Sequence, residues 1–442
     1  MKPIYEINTT NDFILAHPNL IEKSYVTAQS EYLILYEDTN ITNQNDKTLE
    51  NYHSIILENP SRNVLSFAPP KNIEFSDLTE LLQSSEFCES PDNIHVSEFI
   101  EGTLIHFFYD ERISSWEIAT KHAVGGRYSY YHIPDQYTPT YREMMMEAFH
   151  LDRQVDIKMI PFLETLSKKY SYSFVLQHPQ NHIVIPIETP KVYLVAVYEI
   201  DSISQKTTFI SPLEYQSWEN LQMYSSEPHK LIYFPTTYSV HHSMEDEKNI
   251  NATKIVPNLL KYINEYASVY TPSHHMGIIF TNLLSGKRTS FFNPNYLEMS
   301  KMRGNHSNLL YQFFCLKRIH KIQSFLYFFP QYNTLFHTYK RNYEELVTKI
   351  HQYYFSYYVK KLGETIPKKY FHHIYQIHHS IFLPSLQKPV SDISSLLIVP
   401  NQNKIIVRRN VVKEYMDDLD PILLVSLLQN ENTFFLNNPT HE

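Results

Sequence analysis

Short runs of β-branched and aromatic residues, separated by Asn- and Pro-rich turns, dominate the first 135 positions and predict strands. Tyr32–Tyr36 and Val64–Phe67 are two of them. Thr103–Tyr109 and Trp116–Thr120 lie on either side of Asp110-Glu111 and predict a hairpin. Between Tyr141 and Tyr170 the period changes. Met144, Met145, Ala148, Phe149, Ile157, Ile160, Leu163 and Leu166 predict helix there. Strands are expected again at Tyr172–Leu176, Ile183–Ile185 and Val192–Val197, and helices near residues 213–223 and 254–268. A last hairpin is predicted to join Gly277–Phe280 to Thr289–Phe292 through Ser285-Gly286-Lys287.

From His306 onward the pattern is helical. Tyr343, Leu346, Val347, Ile350, Tyr353, Tyr354, Tyr357 and Tyr358 recur at spacings of three and four and predict one buried face. Lys360 and Lys361 fit its last turn and Gly363 its end. Asn305 marks the expected boundary between the two parts, and no internal repeat is present.

Charge follows the same division. Residues 1–300 carry 21 basic and 37 acidic side chains, whereas 301–442 carry 17 basic and 10 acidic. A basic, aromatic-rich second part fits nucleic-acid binding, and it equally fits a solvated helical surface. The chain of 442 residues has seven glycines and two cysteines. Neither a GxxxxGK[ST] nor a GxGxxG string occurs, which argues against a P-loop or a dinucleotide fingerprint. Two cysteines exclude a disulfide-framed scaffold and a four-cysteine zinc site. No window is long and apolar enough to span a membrane, and the first residues lack the apolar stretch of a signal peptide.

Two strings carry more specific information. Glu101-Gly102-Thr103 opens the first hairpin, and His178-Pro179-Gln180-Asn181-His182-Ile183-Val184-Ile185-Pro186 joins two expected strands. In order and spacing they resemble the covalent nucleotidyltransferases. The likeness is to the RNA ligase 1 branch and the RNA ligase-like proteins of large DNA viruses, including the African swine fever virus type. It covers roughly residues 30–300. It implies an α+β fold: an antiparallel-sheet RNA ligase adenylation domain over 1–300, then an all-α domain over 301–442.

In that family the lysine of Lys-x-Asp-Gly attacks the α-phosphate of ATP, and its amine must be neutral to do so. Carboxylates hold a divalent metal, and later lysines neutralise phosphate charge. Here the resemblance places Phe99 at the nucleophile, His53 at an upstream arginine and Gln177 at a metal-binding glutamate. It puts Met276 before Gly277, Ser290-Phe291-Phe292 at a Lys-x-Lys, and His182 at the arginine of the second string. It therefore implies a ligase-like protein without covalent chemistry, its nucleotide-binding positions being Lys71, Glu101, Gly102, Lys121 and Gln177. Phe99 is expected to point into the nucleotide groove. Lys71 and Lys121 are expected to lie near one another and near Glu101, and either is a candidate relocated nucleophile. An active protein would use ATP and magnesium.

Other candidates are weaker. His372-His373 and His378-His379 lack a carboxylate or cysteine that would complete a metal site, and Cys315 falls on an apolar helix face. RNA or another nucleic acid is the expected partner of the C-terminal part, with viral proteins as further partners and no membrane. A protein-binding virion component is the alternative. By resemblance alone, the location is the virion or the virus factory in the host cytoplasm.

Overall fold

The structure, a computed structural model, describes residues 2–38, 47–73, 75, 78–84, 93–130, 137–238, 260–304, 306–363, 365–386 and 405–429. The chain divides into two compact units, Met1–Arg303 and Gly304–Glu442.

The first unit is built on antiparallel sheets. Its strands are β1 (Ile4–Glu6), β2 (Leu20–Val26), β3 (Glu31–Glu37), β4 (Ile55–Glu58), β5 (Val64–Phe67), β6 (Ile94–Glu98), β7 (Thr103–Asp110) and β8 (Ser115–Thr120). They continue as β9 (Ala123–Val124), β10 (Tyr170–Gln177), β11 (Lys191–Asp201), β12 (Lys206–Ile210), β13 (Thr237–Tyr238), β14 (Gly277–Asn282) and β15 (Arg288–Phe292). The largest sheet has the order β1-β12-β11-β10-β7-β8-β9, and two four-stranded sheets have the orders β13-β6-β14-β15 and β2-β3-β4-β5. The two hairpins expected from the alternating pattern are β7–β8 and β14–β15, in registers His106↔Ala119 and Ile279↔Ser290.

One face of the large sheet buries Phe107, Trp116, Tyr172 and Phe174 against Met144, Met145, Phe149, Phe162 and Leu163. Those covering residues come from two short helices, Tyr141–Ala148 and Pro161–Glu164, with a 3-10 turn at Ile157–Met159 between them. The single helical stretch expected across Tyr141–Tyr170 is thus broken. Thr140 and Glu143 form a capping box that starts the first helix, and Pro161 starts the last. Similarly, the stretch near 213–223 splits into Pro212–Tyr215 and Glu219–Ser225. The helix expected over 254–268 is present at 260–266, and positions 254–259 lie outside the described residues, as does Asn305.

Ile183–Ile185 is not a strand. Its backbone amides turn to a side-chain carboxylate instead of a neighbouring strand, as described below. The β-branched run suggests a ladder, but a carboxylate supplies the acceptors that a ladder would.

The second unit is helical. Its main elements are Leu309–Arg318, Ile322–Phe328, Asn333–Tyr354, Lys368–Gln376, Arg409–Asp417 and Pro421–Leu428. Phe313, Phe325, Phe336, Tyr343, Val347, Ile350, Ile374, Val412 and Met416 are buried. Asp417 accepts hydrogen bonds from Lys317 and from the Tyr343 hydroxyl, and Glu344 pairs with Arg409 and Lys413. Part of the positive charge counted in the sequence is therefore neutralised within the unit. The aromatic face beginning at Tyr343 runs on to Tyr358, which is half-buried against Tyr354 and His378, but not to Tyr357. A π-helical turn at Phe355–Lys360 shifts the period, so that Ser356 is buried and Tyr357 faces solvent. Lys361, with φ of 54°, ends this helix in the left-handed region two residues before Gly363. Among the described residues no helix is long and apolar enough to cross a membrane.

Candidate functional site

The chain leaves β6 in one sheet and enters β7 in another through Phe99, Ile100, Glu101 and Gly102. This crossover is held at both ends. The Phe99 amide donates to the Gly277 carbonyl at 3.0 Å, and the Gln177 side-chain amide donates to the Glu101 carbonyl at 2.9 Å. Gly102 has φ of +155°, and a Cβ there would lie 2.5 Å from the Leu176 carbonyl oxygen. Gly277 has φ of +147°, and a Cβ there would lie 2.1 Å from the Phe291 carbonyl oxygen. Only glycine fits such approaches, so both positions are dictated by the backbone.

Glu101 is 2% exposed and points into the loop Pro179–Pro186. Its carboxylate accepts hydrogen bonds from the amides of Ile183 at 2.8 Å, Val184 at 3.1 Å and Ile185 at 3.2 Å. The loop itself is anchored by Asn181 and by His178, the residue before it. His178 Nε2 lies 2.6 Å from Glu147 on the helix Tyr141–Ala148, and Asn181 donates to Thr103 Oγ1 at 2.8 Å. His182 is turned back on the Pro179 carbonyl at 2.7 Å. The residues that carry the sequence resemblance therefore form one hydrogen-bonded assembly around the crossover.

Beside it lies a cavity of about 530 Å³, within the size range of small-molecule sites. Its walls come from the large sheet and the β13-β6-β14-β15 sheet, and include Phe99, Leu104, Val175, Phe292 and Tyr296. The Phe99 ring packs against Phe292 with centroids 5.1 Å apart. As the resemblance implies, Phe99 lines the cavity.

His53, Lys71 and Arg288 also line it. Lys71 Nζ is 2.5 Å from Glu37 Oε2, and Glu37 is 2% exposed. Arg288 donates from Nη2 to the Pro70 carbonyl at 3.3 Å, while its buried Nε has no hydrogen-bond partner among the described residues. Burial pushes His53 down to about 4, and Lys121, Arg288 and Lys71 add to the effect, so its imidazole is neutral near pH 7. Burial likewise lowers His95, another wall residue, to about 4. His106 is pushed down to about 3 by burial and then by His53.

Lys121 is not among the wall residues. Its Nζ lies over the Tyr36 ring at 5.8 Å, and its pKa is lowered by burial and by Lys71, against the pull of Asp38 and Glu37. Lys71 and Lys121 are therefore close enough to repel, as expected. Glu101 is not the carboxylate beside them: Lys71 pairs with Glu37, and both Glu101 oxygens are taken by backbone amides.

A divalent metal does not fit these residues. Gln177 is neutral and serves as a donor, Met276 is apolar, and Glu101 has its lone pairs occupied. Among the described residues no three His, Cys, Asp or Glu side chains converge. An anion fits better, because Arg288 and Lys71 line the cavity together with aromatic rings. Arg288, Glu37 and His95 were not singled out by the sequence. Arg288 opens β15 as an ordinary polar strand residue, and only the tertiary fold turns it to the cavity.

In the second unit His378 stacks on Tyr358 at 3.7 Å and His373 shares a 2.9 Å hydrogen bond with the Tyr415 hydroxyl. Cys315 is half-buried beside Tyr311, and burial pushes its thiol up.

No family model matches the chain. A phage RNA ligase, from Rhodothermus phage RM378, is 30% identical over 108 residues. That stretch is 24% of this chain and 23% of the phage protein, so the chain spans less than a quarter of the relative it matches. An archaeal ATP-dependent RNA ligase superposes with a TM-score of 0.38 and 11% identity, over 74% of this chain and 69% of that one. For a Naegleria gruberi RNA ligase with pyrophosphate the TM-score is 0.32 and the identity 10%, over 68% and 96%.

Proposed function

We propose that the protein is an RNA ligase-like factor that keeps a nucleotide-sized anion pocket but has no covalent nucleotidyl transfer. The observation that carries this reading is Phe99 on the cavity wall next to Glu101-Gly102, with its ring against Phe292. A phenyl ring offers no lone pair to a phosphorus centre. Lys71, on the same wall, has its ammonium engaged by Glu37. Loss of a nucleophile alone costs on the order of 10⁴–10⁶ in rate, and the metal-binding positions of the ligase pattern are neutral here as well. The protein then acts as an accessory or nucleic-acid-binding factor of a large DNA virus, in the virion or the cytoplasmic virus factory.

One observation favours a second reading. Lys121 is partly desolvated and faces a second lysine, the environment that frees an amine for attack. Its absence from the cavity wall weighs against it. Incubation with α-labelled ATP and magnesium or manganese, followed by a denaturing gel, separates the two. The first reading expects no labelled protein. A labelled band that disappears in Lys121→Ala overturns it and supports the second.

A further inference from the structure

The second unit presents a strip of aromatic rings to solvent. On the helix Lys368–Gln376, Tyr370, His373 and Ile374 face inward, while Phe371 and Tyr375, one turn apart, are 41% and 43% exposed. The next residue at that spacing, His379, lies 4.0 Å from the Tyr375 ring. The π-helical turn Phe355–Lys360 adds the fourth member. It swings Tyr357 to the surface, 41% exposed, with its ring 5.8 Å from Phe371 and nearly perpendicular to it. Tyr357 with Phe371 and Tyr375 with His379 thus form two pairs of exposed rings, one helical turn apart.

The pairs are bordered by positive charge. Lys360 and Lys361 follow Tyr357, and Lys368 precedes Phe371 by one turn; all three are exposed. Among the described residues the ion pairs of this unit use Lys317, Arg341, Arg409 and Lys413, not these three. Between residues 346 and 386 the sequence has five lysines and one acidic residue, Glu364.

We infer that this strip is a binding surface for single-stranded nucleic acid. Unpaired bases would stack on Tyr357, Phe371 and Tyr375, and Lys360, Lys361 and Lys368 would meet the phosphates. Exposed rings beside exposed cations match a chain of flat, apolar bases joined by anions. A duplex keeps its base faces covered, and a purely apolar protein partner leaves the lysines without a counterpart. The inference concerns the second unit and does not depend on the cavity reading.

The test uses the full-length protein and fluorescein-labelled oligouridine, oligothymidine and a duplex of equal length, read by anisotropy. Both single strands are expected to bind, the duplex more weakly, with affinity falling at least about tenfold between about 50 and 200 mM salt. Replacing both Phe371 and Tyr375 by Ala should weaken single-strand binding at least about tenfold. Tyr375→Trp should preserve it. Lys360→Ala with Lys361→Ala and Lys368→Ala should flatten the salt dependence by about 0.7 per lost phosphate contact. No single-strand binding at about 50 mM salt overturns the inference, as does unchanged binding in the ring variant. If the ring variant unfolds, Tyr375→Trp decides: a folded Trp variant that fails to bind is also fatal. Loss of self-association in the ring variant, without nucleic-acid binding by the parent, reassigns the strip to contacts between copies.

Discussion

Both carboxylate oxygens of Glu101 lie 3.1 Å from the Val184 amide, although the two residues are 83 positions apart. With Ile183 and Ile185 they form a closed anion nest that fixes the crossover to the loop Pro179–Pro186. A residue that resembles a catalytic-motif acid is thereby a structural clamp. Removing it strands three amides, two of them on half-buried residues and one buried.

Glu101→Ala is therefore expected to destabilise the first unit by about 3 kcal/mol, because an unsatisfied buried donor costs about 1–3 kcal/mol. Glu101→Gln keeps two acceptor lone pairs and should cost clearly less. Urea unfolding of the variants checks this. Equal stability of Glu101→Ala and the parent would show that the nest does not hold the crossover.

Three histidines make the first unit acid-sensitive. His53 and His95 are lowered to about 4 and His106 to about 3, chiefly by burial. An unfolded chain protonates them near 6.5. Below that pH the unfolded state binds more protons than the folded one, so stability is full above about 6.5 and falls as pH drops toward 4. Melting temperatures measured from pH 8 to pH 4 should decline through this window. His106→Asn should flatten the decline, even where it lowers stability at pH 8.

Much of this framework is legible in the sequence. The alternation of Thr103–Tyr109 against Trp116–Thr120 specifies a hairpin whichever partner strands flank it. Gly102 and Gly277, in a chain with seven glycines, mark backbone approaches that no other residue permits. Ile183–Ile185 misleads because β-branched residues suit both a strand and a tight loop, and the choice rests on Glu101, a distant acceptor. The π-helical turn at Phe355–Lys360 breaks a period that the tyrosine spacing continues. Arg288 and Glu37 belong to the cavity only through tertiary placement, so no local pattern reveals them.

The cavity makes two separable demands. Phe99 occupies volume among apolar walls, and Arg288 adds a guanidinium to the lining. Calorimetric titration with ATP should show weak binding by the parent and several-fold tighter binding by Phe99→Ala. Tripolyphosphate, which needs no room for a base, should bind the two equally. Arg288→Ala should weaken both ligands at least about fivefold, the loss of about one charge-assisted hydrogen bond. Tight ATP binding by the parent would mean that the Phe99 ring does not limit the pocket.

The central claim is that the ligase-like pocket has no nucleophile. Intact-mass spectrometry of the full-length protein, after incubation with ATP and manganese, tests this most directly. The account predicts a single species at the unmodified mass. A second species heavier by one adenylyl group, present in the parent and absent in Lys121→Ala or Lys71→Ala, would contradict it.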